Sequence, residues 1–149
     1  MKTKTIITEI NHDDLVNLFS TATYGSEYFS VLKKKEDYYG TELEDGNDCR
    51  EDTWAKILLS GKAVYVLDYF SWSEEDYYGN LPHVWDENRE SMKYTVTLDD
   101  IKKGLHKALD NGGYDAKCAF DLINEEGCFD LTEAETLLQI ITFGEVIYG

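Results

Sequence analysis

The chain has 149 residues, of which 42% are hydrophobic and 13% aromatic, and a formal net charge of −16. That length accommodates one domain with a real core, and that composition excludes a disordered chain. The charge excludes nucleic acid and anionic membrane as direct partners, since both are polyanions.

Lys4–Ile10 (KTIITEI) is dense in β-branched residues and predicts a first strand. Asn11 then offers a helix cap, with Asp14 in the first turn beside the positive end of the helix dipole. Leu15, Leu18, Phe19 and Ala22 recur at i, i+3, i+4 and i+7, one helical face, and Gly25 is a natural stop. Ser26–Leu32 reads as the next strand, and Trp54, Ile57 and Leu58 as a short helix closed by Gly61. Lys62–Phe70 is apolar on both faces up to Asp68, the pattern of a central strand, while Met92–Leu98 alternates like a half-buried one.

Thr97 and Asp100 have capping-box spacing ahead of the stripe Ile101, Leu105, Ala108 and Leu109, which Asn111–Gly113 ends. A weaker helix is expected over Asp115–Glu126. A last one runs from a Thr132/Glu135 capping box through Ala134, Leu137, Leu138 and Ile141 to Gly144. The order βαβαββααα predicts a single α+β domain over residues 1–149, a mainly antiparallel sheet of about four strands with helices packed on it. A parallel pairing within the first β–α–β unit is left open.

The charge is unevenly spread. Residues 36–52 hold eight acids and one base, giving −7; residues 74–90 hold six acids and one base, giving −5; the rest of the chain is only −4. Each acidic segment carries the pentapeptide EDYYG, as Glu36–Gly40 and Glu75–Gly79. The copies are not a duplication: the preceding YFS triplets lie 41 residues apart and the pentapeptides 39, and a helix precedes one where a strand precedes the other.

Convergent use explains them better, as two strands that each end in an acidic–aromatic loop. If both strands leave the sheet at the same end, Glu36, Asp37, Tyr38, Tyr39, Glu42, Glu44 and Asp45 join Glu74, Glu75, Asp76, Tyr77 and Tyr78 in one face. Tyrosine suits such a face, because its ring covers apolar surface while its hydroxyl stays wet. The expected partner is a basic surface on a host protein. In its sharpest form the face is a nucleic-acid mimic, with carboxylates where phosphates would stand. The plain alternatives are solvated loops that keep the chain soluble, or a small structural domain that self-assembles.

Chemistry is sparsely signalled. His12, His83 and His106 have no i, i+4 partner and no Cys or His at ligand spacing, so neither zinc nor another cofactor is expected. Glu44–Asp52 (EDGNDCRED) fails the calcium-loop pattern. His83, on a loop near Asp86 and Glu87, is the one candidate for a catalytic histidine in a metal-dependent enzyme, but an isolated loop histidine is more often ordinary. The chain is read as non-enzymatic. Three cysteines without C-x-x-C spacing fit free thiols in a reducing compartment, with Cys118 and Cys128 read as buried. The polar N-terminus and the lack of a long apolar run point to the cytoplasm.

Thr21–Phe29 (TATYGSEYF) resembles a helix-end motif, reading like TALEGGSNYW, in a family of small uncharacterised phage and prophage proteins. Gln139–Gly149 (QIITFGEVIYG) resembles the end of the same family, where a helix with an internal Gln runs into FGE.VYG. The resemblance implies an accessory protein of phage or mobile elements, acting in the cytoplasm of a bacterial host. The acid and second glycine of the first motif are missing, since Ser26 follows Tyr24 and Gly25 directly, so no role for that acid carries over. Physically, Gly25 lets the helix turn into a strand, and Phe143, Val146, Ile147 and Tyr148 are expected to pin the C-terminal residues to the core.

Overall fold

Four segments hydrogen-bond into one antiparallel sheet in the computed structural model of the chain, which describes residues 9–46, 49–124 and 128–149. They are β1 (Phe29–Lys33), β2 (Ala63–Asp68), β3 (His83–Asp86) and β4 (Ser91–Thr97), in the spatial order β1-β2-β4-β3. Every pairing is antiparallel, so the parallel option for the first elements is not used. The apolar run of β2 is explained by its interior place between β1 and β4. The strand expected over Lys4–Ile10 lies outside the described residues apart from Glu9 and Ile10, of which Ile10 is buried.

Five α-helices pack on the sheet among the described residues: α1 (His12–Thr23), α2 (Arg50–Leu59), α3 (Leu98–Asn111), α4 (Gly113–Ile123) and α5 (Leu131–Phe143). The inner face of the sheet carries Phe29 and Val31 of β1, Val64, Val66 and Asp68 of β2, and Met92, Tyr94 and Val96 of β4, all buried. Leu15, Leu18, Phe19 and Ala22 of α1 join that core, and Phe19 meets Trp54 of α2 edge-on at 5.7 Å. Two caps form as the sequence predicts. Asn11 and Asp14 bond reciprocally at 3.0 and 3.1 Å, and Thr97 and Asp100 at 3.2 and 2.9 Å.

Three expectations are corrected. β3 was not foreseen; it pairs with β4 from His83↔Tyr94 to Asp86↔Ser91, and only Asp86 of its four residues is buried, so its apolar signal is weak. The last helix is capped by Asp130, whose Oδ1 accepts the Glu133 N–H at 2.8 Å, rather than by Thr132. Glu135, the other half of the expected box, instead accepts a bond from Ser26 Oγ at 2.6 Å. Cys128 is exposed, whereas Cys118 is buried as expected.

α5 is the central helix, with every residue from Thr136 to Phe143 buried. Its Gln139 bonds the backbone of the last residues: Oε1 accepts the N–H of Ile147 at 2.8 Å and of Tyr148 at 2.7 Å, and Nε2 donates to the Tyr148 carbonyl at 3.2 Å. Phe143 and Tyr148 anchor this end as expected, while Val146 is exposed.

Candidate functional site

The two acidic loops do not share an edge. β1 ends at Lys33, opposite Val64 at the start of β2; β2 ends at Asp68, opposite Phe29 at the start of β1. Antiparallel neighbours send their following loops to opposite ends of a sheet. The face that was to unite Glu36–Asp45 with Glu74–Tyr78 is therefore not formed, and neither is a carboxylate track running across both loops.

The first loop is satisfied by its own chain. A short 3₁₀ turn, Lys35–Asp37, leads into it, and Tyr38 is buried with its hydroxyl bonded to the backbone of Asp45. Lys33 Nζ lies 4.7 Å from the Tyr39 ring centre and 5.3 Å from that of Tyr38, at cation–π range. Glu36 faces Lys34 at 3.8 Å, Asp37 faces Lys62 at 3.9 Å and Asp45 faces Lys56 at 3.8 Å. Glu44 accepts the Gly40 N–H at 2.9 Å, and Glu42 is exposed. Each surface ion pair stabilises little, but together they neutralise much of the loop's field.

The second loop builds a concave site. Residues between β2 and β3, the β3–β4 turn and the C-terminal Tyr148 enclose a cleft of about 1000 Å³. Six aromatic rings line it. Tyr69, Phe70 and Trp72 follow β2, Tyr78 belongs to the second EDYYG, Trp85 sits on β3, and Tyr148 closes the wall. Three carboxylates join them: Asp76 from the loop, and Glu87 and Glu90 from the turn. Among the described residues no basic side chain lines the cleft and no ion pair engages these three acids. Trp72 is 88% exposed, an unusual position for an indole. Of the remaining expected residues, Glu74, Glu75 and Tyr77 are exposed on the same loop but do not line the cleft.

The cleft is held from below. Fully buried Asp68 accepts the Tyr148 hydroxyl at 2.7 Å and the Phe70 N–H at 2.9 Å. Ser71 Oγ donates to the Asp68 carbonyl and accepts the Met92 N–H at 2.7 Å. Asp76 Oδ2 accepts the Trp72 N–H at 2.8 Å, and the Tyr94 hydroxyl accepts the Tyr78 N–H at 3.1 Å. Gly79, at φ +76°, lies so close to α5 that a Cβ there would sit 2.7 Å from the Phe143 carbonyl oxygen.

The proton affinities record a negative site. Burial raises the Asp68 carboxyl, opposed by its two hydrogen bonds and assisted by the charge of Asp76. Burial also raises the phenols of Tyr78 and Tyr148 and pushes Tyr94 up to about 12, and in all three the charges of Asp68 and Asp76 add to the shift.

The stretches Thr21–Phe29 and Gln139–Gly149 meet beside this wall. Tyr28 of the first stacks on Tyr148 of the second at 5.5 Å, with its planes 10° apart, and donates its hydroxyl to the Gly149 carbonyl at 3.3 Å. Tyr28 also packs edge-on against Phe70 at 4.6 Å. Sequence reasoning missed Tyr69, Phe70, Trp72, Trp85, Glu90 and Tyr148 as site residues. The available signal was the run DYFSW, three aromatic groups leaving a strand just ahead of the acids.

His83 is not assembled with a carboxylate. It lies on β3 rather than on a loop, stacked on Tyr77 at 4.1 Å with Nδ1 2.9 Å from the Leu81 carbonyl. Asp86 is three residues along the strand and so on the other face. Burial alone would raise the Asp86 carboxyl, but hydrogen bonds from the Arg89 N–H and guanidinium, with the charges of Arg89 and Lys93, hold it below the usual range. It organises the turn. Among the described residues no group of three or more His, Cys, Asp or Glu is placed to hold a metal ion, and no helix is long and apolar enough to cross a membrane. No protein-family model, characterised protein or solved structure matches the chain.

Proposed function

We propose that the chain is a non-enzymatic interaction protein that takes a cationic group of a basic partner protein into the cleft beside Tyr148. The observation that carries this reading is the lining: six aromatic rings and three carboxylates, with no base among the described residues there. Rings attract a cation through their quadrupole, and carboxylates complete its hydrogen bonds at charge-assisted strength. The first loop shows the same chemistry already filled, with Lys33 on Tyr38 and Tyr39. The second loop has the rings and acids and, among the described residues, no cation set against them. The net charge of −16 attracts basic partners from a distance, so association is expected to slow as salt is raised.

The resemblance of Thr21–Phe29 and Gln139–Gly149 to phage and prophage proteins supports the reading that the partner is a basic protein of a bacterial host cell, such as a nucleic-acid-binding one. Tyr148, from the second stretch, lines the cleft, and Tyr28, from the first, stacks on it from outside the lining, which supports linking the resemblance to the site.

The test is capture from bacterial lysate on the tagged protein, washed at low and then high salt. A discrete protein is expected to bind and to be released by salt. Glu87→Gln with Glu90→Gln should abolish its capture, while Glu36→Gln with Glu42→Gln, the same charge change at the other end of the sheet, should not. Equal loss in both variants would mean bulk acidity, and loss in neither would remove the cleft from the interaction.

A further inference from the structure

Resting on that reading, we infer that the group recognised in the cleft is the guanidinium of an arginine side chain presented by the partner. The cleft offers a cation two kinds of contact on separate elements. Aromatic rings come from the segment after β2, from Trp85 on β3 and from Tyr148; carboxylates come from Asp76 on that segment and from Glu87 and Glu90 on the β3–β4 turn. An ammonium is a compact, strongly hydrated point charge. To meet rings and carboxylates together it must give up much of that water. A guanidinium is planar and weakly hydrated, so its face stacks on a ring while its edge bonds carboxylates. An ammonium can touch both, as Lys93 does with the Tyr65 ring at 4.6 Å and Asp86 at 4.0 Å, but the planar cation does so at a smaller cost in hydration.

The chain itself seats arginine this way elsewhere. The Arg50 guanidinium lies 5.2 Å from the Tyr24 ring centre and 5.6 Å from that of Trp54, next to Glu51 at 4.0 Å. The volume of the cleft, at the top of the range of about 300–1000 Å³ for ligand sites, admits the arginine with its flanking backbone.

The experiment is a tryptophan-fluorescence titration of the full chain with three end-blocked tripeptides, Gly-Arg-Gly, Gly-Lys-Gly and Gly-citrulline-Gly. Trp72 and Trp85 line the cleft and the third tryptophan, Trp54, is buried in the core, so emission reports the site. The arginine peptide is expected to bind tightest. Citrulline, its uncharged isostere, should bind at least about tenfold more weakly, as should the arginine peptide on the Glu87→Gln, Glu90→Gln variant; tenfold corresponds to about 1.4 kcal/mol. Lysine as tight as arginine, citrulline as tight as arginine, or no emission change with any peptide overturns the inference. If capture of a lysate protein still depends on Glu87 and Glu90, such a result leaves the cleft reading standing. Capture indifferent to those two residues removes the reading itself, whatever the peptides do.

Discussion

The two glycines of the EDYYG pentapeptides form a matched pair for testing how the second loop is held. Gly40 and Gly79 have nearly the same backbone, with φ of +77° and +76°, but different surroundings. A Cβ on Gly40 would meet nothing within 4 Å, whereas one on Gly79 would sit 2.7 Å from the Phe143 carbonyl oxygen and 2.9 Å from its carbon. Alanine at either site bears the left-handed backbone penalty, about 1–2 kcal/mol. At Gly79 it must also displace the last turn of α5, and overpacking of that kind costs about 1–3 kcal/mol more. Gly40→Ala is therefore expected to lose about 1–2 kcal/mol and Gly79→Ala about 2–5 kcal/mol. Urea unfolding followed by circular dichroism measures both. In a chain of this size each kcal/mol also lowers Tm by about 2–4 °C. Equal losses in the two variants would refute the close approach of Gly79 to Phe143, and with it the anchoring of Tyr78 in the cleft wall.

Gly104→Ala sets two effects against each other on α3. Helix propensity favours alanine by about 1 kcal/mol, but its Cβ would lie 2.5 Å from Ile141 Cγ1 and 2.7 Å from Ile141 Cα on α5. Backbone contact should win, so the urea midpoint is expected to fall; a rise would show that the two helices separate freely. Asp68→Asn tests the buried carboxylate. Its folded pKa is raised above the ordinary 3.8, so the native state holds the proton longer and Asp68 weakens the fold as pH rises through that window. The variant should lack this loss and gain on the parent as pH rises above about 4; a constant offset at every pH would refute it. Thiol labelling should find two reactive groups in the folded chain, Cys128 ahead of Cys49, whose thiol is raised chiefly by its hydrogen bond to Asp52. Buried Cys118, pushed up to about 12, should react only in denaturant. Three fast thiols would contradict its burial.

Helices and interior strands were legible because their signals are local. Asn11 with Asp14 and Thr97 with Asp100 cap their helices where the sequence places them, and β2 is apolar on both faces because it lies inside the sheet. β3 was illegible for the opposite reason: it is a four-residue edge strand after Pro82, with His83 and Val84 exposed, so burial imposed no alternation to read. The direction of β1 relative to β2 was equally hidden, since the long segment between them, α2 included, can return the chain either way. That single unknown decided whether the acidic loops met.

The sequence did contain the difference between the two loops, one step outside the pentapeptides. VLKKK precedes the first EDYYG, and FSWSE precedes the second. Lys33 and Lys34 turn back onto Tyr38, Tyr39 and Glu36, so the first loop consumes its own attraction for cations. The second has no lysine to spend. Ser71 and Asp68 fasten its start to the sheet, Gly79 fastens its end to α5, and Trp72 and Asp76 are left facing an open cleft. The same five residues thus bury their first tyrosine in one context and half-bury their second in the other. What the pentapeptide contributes is a set of acids and rings; whether it binds anything depends on whether the preceding residues supply the counter-charge. A lysine introduced at Trp72 should therefore convert the second loop toward the first, and capture of a basic partner should fall without loss of stability.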